Sequence, residues 1–360
     1  MDLQALFQHP IVQGPMAGGA STAALVAAVS NAGALGSLPT SLFTPQAMRT
    51  QIEQVRALTT RPFAVNLFVQ KTPQPSAEDL TRAVALLKPV WSSLGWSDLP
   101  MPAKWCDDFE AQFEVLLETR PSVASFTFDI LSAQQVERLH QAGILVIGTV
   151  TTVAEGLAWQ AVGADAVLAS GVESGGHRGT FLGPQTDATL TTFELLPQVV
   201  AELTIPVIPA GGIMHGAEIA KALALGAFAV QMGTAFLVSD ESGIHPAYKQ
   251  RLLNVGKDMV GKDPLGHHPT RLTRSFSGRY ARGLENRFMQ LMQPVEAEVP
   301  PYPVQNALTG SIRAAAAQAG DTELMSLWCG TGVHLARAMP AAELVRTLVA
   351  EIRAAQNENG

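Results

Sequence analysis

Three times the sequence runs a small-residue turn of one kind into an apolar strand: Ala142-Gly143-Ile144, Gly163-Ala164-Asp165 and Gly226-Ala227-Phe228. A glycine at a helix end takes the left-handed conformation that stops the helix and lets a strand begin. Repeated, the unit makes strand and helix alternate, which leaves few architectures besides a parallel sheet wrapped in helices. Eight units can be read. Pro10–Ala17 leads into Ser21–Asn31, with Ser21 or Thr22 as cap and Gly33 as stop. Ala34–Leu38 precedes a helix opening at Pro45, and Phe63–Val69 precedes a longer helical stretch from Ser76. Val123–Phe128 precedes Ser132–Gln141, and Leu145–Val150 precedes Thr152–Val162. Ala166–Ser170 opens a glycine-rich loop before a helix near Thr191–Leu203; Pro206–Ala210 precedes Gly216–Leu225, and Phe228–Met232 comes last. The strands are apolar throughout rather than alternating, so both faces are covered. The expected fold is α/β, a TIM (β/α)8 barrel rather than a doubly wound sheet.

A bare barrel takes about 250 residues, and this chain has 360. The surplus divides it into residues 1–239 as barrel, 240–310 as an irregular lid or flap rich in Gly, Pro, Arg and His, and 311–360 as C-terminal helices packing on the barrel. Within the first part, about 73–121 is too long for one crossover; with Trp91, Trp96 and Trp105 it reads as a helical excursion over the barrel mouth. Hydrophobic residues at 47% and charged ones at 15% exclude disorder. A net charge of −7 without a basic run sets nucleic acid aside as a partner. Cys106 and Cys329 are too few for a disulfide framework or a cysteine zinc site and read as free thiols of a reducing compartment. Met1-Asp2-Leu3-Gln4 lacks the basic start of a signal peptide, and no apolar run approaches the ~20 residues of a membrane span. The expectation is a cytoplasmic protein without membrane contact. Composition leaves homo-oligomerisation open.

Functional barrels carry their chemistry on the loops after the strands. Pro209-Ala210-Gly211-Gly212-Ile213 ends the seventh strand and Gln231-Met232-Gly233-Thr234-Ala235 the eighth. Adjacent glycine loops there suit a phosphate held by backbone N–H groups and a helix N-terminus, with the Thr234 hydroxyl as a further donor; the plain alternative is two tight turns. Asn66 interrupts an apolar run, as a core amide or as a partner for a flat heteroaromatic ring edge. Met16, Ala17 and Gly18 let a planar ring lie against backbone, although Met16 alone would suit core packing. Gly171-Val172-Glu173-Ser174-Gly175-Gly176-His177-Arg178-Gly179 is the sharpest element. His177 has almost no neighbouring side chain to pack against, so the loop displays an imidazole suited to accepting a proton or stabilising an anion. A structural His is the alternative; a metal is not expected, since Glu173 is four residues away in a segment too glycine-rich for helix. His215 could touch the phosphate from a helix start, and His267-His268 reads as a solvated turn.

Taken in order, these motifs resemble the nitronate monooxygenase family, formerly 2-nitropropane dioxygenases, which are FMN-dependent TIM barrels. The resemblance runs from Pro10 to the C-terminal helix and rests on Pro10-Ile11-Val12-Gln13-Gly14-Pro15-Met16-Ala17-Gly18, Asn31-Ala32-Gly33-Ala34-Leu35-Gly36, Ser174–Gly179, Ala210–Ile213, Gln231–Leu237 and the lid-like Phe276-Ser277-Gly278-Arg279-Tyr280-Ala281-Arg282-Gly283. It implies that FMN's phosphate binds at Gly212, Gly233 and Thr234, with Gly211 among the cofactor-binding residues. Asn66, Ser170, Gly175, Gly176, Gln231 and the Met16–Gly18 backbone would line the flavin, and His177 would face the substrate. The chain departs from the pattern at Ser170, where relatives often carry Gln, and at Trp328-Cys329-Gly330-Thr331, where they often show Trp-Ala-Gly-Gln. The implied reaction oxidises an alkyl nitronate such as propionate 3-nitronate with O2 to a carbonyl compound and nitrite, a nitroalkane-detoxifying chemistry in which electrons pass singly through the flavin. Flavin-dependent enoyl-thioester reductases and NADH:quinone reductases on the same barrel are the rival class. The absence of a Gly-x-Gly-x-x-Gly fingerprint after a strand tells mildly against tight nicotinamide binding.

Overall fold

The computed structural model describes residues 3–258 and 269–358. Eight parallel strands form the barrel: β1 (Ile11–Gln13), β2 (Gly36–Pro39), β3 (Phe63–Phe68), β4 (Val123–Thr127), β5 (Leu145–Val150), β6 (Ala166–Ser170), β8 (Val207–Ala210) and β9 (Val230–Met232). They run in the order β1-β9-β8-β6-β5-β4-β3-β2, and a parallel bridge between Val12 and Leu35 links the two ends. A short β7 (Gly176–His177) stands outside the barrel, joined to a hairpin of β10 (Thr270–Thr273) and β11 (Ala281–Leu284).

The repeated turns behave as their glycines require: Gly33, Gly143, Gly163 and Gly226 all have φ between +76° and +95°. Of the two candidate caps, Thr22 accepts from Leu25 N at 3.0 Å, while Ser21 turns inward, accepting from Gln13 Nε2 at 2.8 Å and Met16 N at 3.0 Å. Pro45 opens the helix Pro45–Leu58 behind a Thr44 cap. The first strand is shorter than Pro10–Ala17 because Pro15 has no N–H for a ladder, and the chain turns away after Gly14. Where β5 passes under the helix Val153–Ala161, a Cβ on Gly148 would lie 2.1 Å from Trp159 Cδ2, so that crossing needs glycine.

Apolar side chains form three layers. Ile11, Val65, Phe126, Val146 and Val167 pack outward against the helices. Val12, Ala64, Val123, Ile147 and Leu168 fill the barrel interior, closed from below by Leu3, Leu6 and the Phe7–Phe228 ring pair. The third layer covers the mouth and joins the 73–121 excursion, through Leu87, Val90 and Trp91, to Phe276, Phe288, Met292, Leu308 and Ile312. Residues 240–310, read as irregular, include the helices Pro246–Asp258 and Arg287–Met292 and the hairpin, joined by described stretches without regular structure such as 274–280 and 296–303. His267 and His268 lie outside the described residues. The helix Ala341–Glu358 packs between Gly216–Ala224 and Ala23–Asn31, filling the eighth outer position of the barrel. Its approach is so close that a Cβ on Gly216 would lie 2.3 Å from Glu351 Cβ. The described residues between Leu237 and Ala341 thus form an insertion between the eighth barrel strand and its helix.

Candidate active site

At the C-terminal ends of the strands lies a cavity of about 620 Å³, within the ~300–1,000 Å³ range of small-molecule sites. All thirteen residues singled out from the sequence reach its wall: Met16, Ala17, Gly18, Asn66, Ser170, Gly175, Gly176, His177, Gly211, Gly212, Gln231, Gly233 and Thr234.

One end is a glycine cradle. Gly211 and Gly212 follow β8 with φ of +120° and +71°. A Cβ on Gly211 would lie 2.6 Å from Ser174 Oγ, while one on Gly233 would meet nothing nearer than Met16 Sδ at 3.9 Å and would project into the cavity. Among the described residues no acceptor is recorded for the N–H groups of Gly212, Gly233 and Thr234, which leaves them free to donate. Thr234 Oγ1 accepts from Gly330 N at 2.9 Å, and Thr331 N donates to Glu173 O at 3.1 Å, so the tail closes over this end. The helix after β8 does not contribute its N-terminus. Glu218 takes the N–H groups of Met214 and His215 at 2.6 and 3.1 Å, and Glu351 takes that of Gly216 at 2.8 Å. His215 lies outside the cavity, its Nδ1 4.0 Å from Glu351.

The walls offer amides and hydroxyls. Asn66, 2% exposed, donates through Nδ2 to Ser125 O and Oγ at 3.2 and 3.1 Å, with its Oδ1 unpartnered among the described residues. The amide of Gln231 likewise has no recorded protein partner. Ser170 donates to Ser174 Oγ at 2.9 Å, and that hydroxyl donates on to Ala210 O. Free glycine N–H groups, a cradle that a side chain would fill, and uncommitted amide edges fit a phosphate joined to a flat hydrogen-bonding ring.

His177 occupies the other end. Its sequence neighbours are small, but the imidazole is packed all the same, by distant rings: Phe128 at 5.4 Å, Tyr302 and Trp328 at 5.6 Å each, and Phe68 at 6.3 Å between centroids. Phe128 holds a left-handed φ of +87°, stacks on Phe68 at 4.1 Å and carries the Arg279 guanidinium 4.3 Å above its ring. His177 Nε2 lies 2.9 Å from Ser277 Oγ, whose own proton goes to Arg279 O at 3.0 Å. Burial, reinforced by the charges of Arg279 and Arg313, lowers the imidazole from its usual value to about 3, so it is neutral at physiological pH.

Charged residues next to the loop hold it in place. Arg178, 2% exposed, donates through Nη1 to Ser170 O and Gly171 O and through Nη2 to Ala188 O. Arg279 donates to Arg178 O and Thr180 O. Buried Glu155 accepts from Leu182 N at 3.0 Å, Phe181 N at 2.5 Å and Thr151 N at 2.6 Å. Glu173, weighed as a metal partner, accepts instead from Thr192 N at 2.9 Å. Sequence reasoning gave no role to Ser277, Arg279, Tyr302, Arg313 or Trp328. Ser277 and Arg279 lay within a quoted motif, and Arg313 is the one charged residue in the helix Gly310–Ala319.

A family model described as nitronate monooxygenase matches residues 2–351. A probable nitronate monooxygenase of Staphylococcus aureus (strain Newman) is 38% identical over 346 residues, covering 96% of this chain and 94% of the relative. Among solved structures, nitroalkane oxidase from Streptomyces ansochromogenes superposes with a TM-score of 0.89 at 42% identity, covering 99% of each chain. FabK from Thermotoga maritima gives 0.74 at 29% identity, covering 99% of this chain and 96% of the other. Among the described residues no helix is long and apolar enough to cross a membrane.

Proposed function

The chain belongs to the nitronate monooxygenase family, and from that premise we propose that it uses FMN and O2 to oxidise alkyl nitronates, such as propionate 3-nitronate, to a carbonyl compound and nitrite. The observation that carries this reading is the polarity of one cavity, with free glycine N–H groups at one end and a neutral, ring-enclosed imidazole at the other. Gly211, Gly212, Gly233 and Thr234 would hold the phosphate; Asn66, Ser170, Gly175, Gly176, Gln231 and the Met16–Gly18 backbone would line the ring. A bound flavin supplies one-electron transfer between substrate and O2. His177 then acts as a neutral group. With Nε2–H given to Ser277, its Nδ1 can accept a proton from the carbon of a nitroalkane or a hydrogen bond from the substrate. Phe68, Phe128, Tyr302 and Trp328 keep water from that space.

The test is the visible spectrum of the purified protein, followed by nitrite release and oxygen uptake with propionate 3-nitronate. Wild type is expected to be yellow and active, and His177→Asn to keep FMN and lose at least about tenfold in kcat/KM. Undiminished turnover by the variant removes His177 from the reaction. Anaerobic NADH or NADPH separates this chemistry from that of a reductase: the flavin is expected to stay oxidised.

A further inference from the structure

The cavity holds a fixed positive charge without a counter-ion. Among the described residues lining it, Arg313 alone is permanently charged and none is Asp or Glu. Arg313 projects from the first turn of the helix Gly310–Ala319. Its Nη2 donates to Asn306 O at 2.7 Å and Oδ1 at 3.1 Å, and its Nε is sealed without a partner. Among the described residues Nη1 makes no recorded hydrogen bond. Burial lowers the guanidinium to about 10, opposed only by Tyr302, so it stays charged at neutral pH and no carboxylate offsets it.

A cation out of water and unpaired is costly, and a ligand that brings the missing anion removes that cost. With Nη2 committed to Asn306 and Nε sealed, Nη1 is the donor left to a ligand, and it can give a charge-assisted hydrogen bond to an oxygen of a carboxylate or of a nitronate group. Arg313 also lies at the reacting end. Tyr302, on the same wall, has its ring 5.6 Å from His177, and the charge of Arg313 reaches the imidazole. Because His177 is neutral, it does not hold the substrate's anion by charge. We propose that Arg313 is the residue that binds the anionic group of the substrate in this chamber. The proposal rests on the nitronate reading insofar as it takes the substrate to be an anion.

The test uses the full flavin-loaded chain as wild type, Arg313→Gln and Arg313→Lys. Arg313→Met, which keeps the apolar stem, replaces the Gln variant if that does not fold. The probes are propionate 3-nitronate, propyl-1-nitronate, and unreactive butyrate followed by flavin difference absorbance. Removing the charge should raise the KM for propionate 3-nitronate and the Kd for butyrate at least about tenfold, with Lys restoring much of the loss. A matching rise with propyl-1-nitronate makes the nitronate group the partner; no change there makes it the distal carboxylate. Either result supports Arg313. Values within twofold of wild type for all three probes overturn the proposal, as does loss of FMN from an otherwise folded variant, which would put the guanidinium on the cofactor. If wild type oxidises neither nitronate, the reaction reading fails while butyrate binding still decides the role of Arg313.

Discussion

Removing one hydroxyl should separate the packing of His177 from its chemistry. Ser277 is 1% exposed, 2.9 Å from Nε2, and commits its only proton to Arg279 O at 3.0 Å. A hydroxyl so committed accepts from the imidazole, which fixes the Nε2–H tautomer and leaves Nδ1 unprotonated. In Ser277→Ala the ring keeps its aromatic wall but its N–H loses its acceptor, a loss of about 1–3 kcal/mol for a buried donor. If that cost falls on the reactive arrangement, kcat/KM drops about 5- to 150-fold. The β7–β11 pairing is made by backbone and is untouched, so FMN content should not change. Ser277→Thr keeps the acceptor and should recover most of the rate. The assay is nitrite release under air, with ring ¹⁵N shifts of labelled His177 reporting the tautomer. A Ser277→Ala rate within twofold of wild type, with the tautomer unchanged, would refute the assignment.

Three further outcomes follow from the geometry. Gly233→Val places its side chain in open cavity space and should leave the melting temperature of the flavin-free protein nearly unchanged while weakening FMN at least about tenfold; tight flavin retention would count against the cradle. Gly148→Ala sets a methyl 2.1 Å from Trp159 and should cost about 1–3 kcal/mol in urea unfolding; a neutral result would mean the crossing relaxes freely. The folded-state value of His177 lies below its unfolded one, so its stabilisation is complete above about pH 6.5 and declines towards about pH 3, as the unfolded chain takes up a proton that the folded one refuses. Wild type should therefore lose stability relative to His177→Gln as pH falls through that window, by at most about 1.4 kcal/mol per pH unit; parallel curves would show that the folded imidazole titrates normally.

What the sequence disclosed, and what it hid, follows the range of the interactions. Gly143, Gly163 and Gly226 were legible because a left-handed helix stop depends only on the residue itself. The residues lining the glycine cradle were legible for the same reason, since each sits at a strand end that its own neighbours define. The N–H groups at the start of Gly216–Ala224 are taken by Glu218 within the first turn and by Glu351, 135 positions away, and only the first of these is visible in the local sequence. The excursion was visible as excess length, but its packing of Trp91 with Phe288 and Leu308 was not, because its partners lie some two hundred residues on. His177 looked unpackable among glycines for that reason too: the rings that enclose it come from residues 68, 128, 302 and 328.

The insertion decides the state of His177. Its lowered value comes first from burial and then from Arg279 and Arg313, and the insertion supplies both cations as well as Tyr302 and Trp328 from the enclosing rings. The barrel supplies only Phe68 and Phe128. Without the insertion docked, the imidazole would be solvated and titrate near 6.5, cationic in about half the molecules at that pH. Docking rests on the β7–β11 pairing, on Arg279 reaching back to Arg178 O, and on the seam where a Cβ on Gly175 would lie 2.4 Å from the Cys329 backbone. Those contacts attach to the loop that carries the imidazole, so the same event that buries His177 also gives Nε2–H its acceptor. A barrel with the same glycine cradle and a different insertion could hold the same cofactor, yet it would present another charge and another tautomer to the substrate.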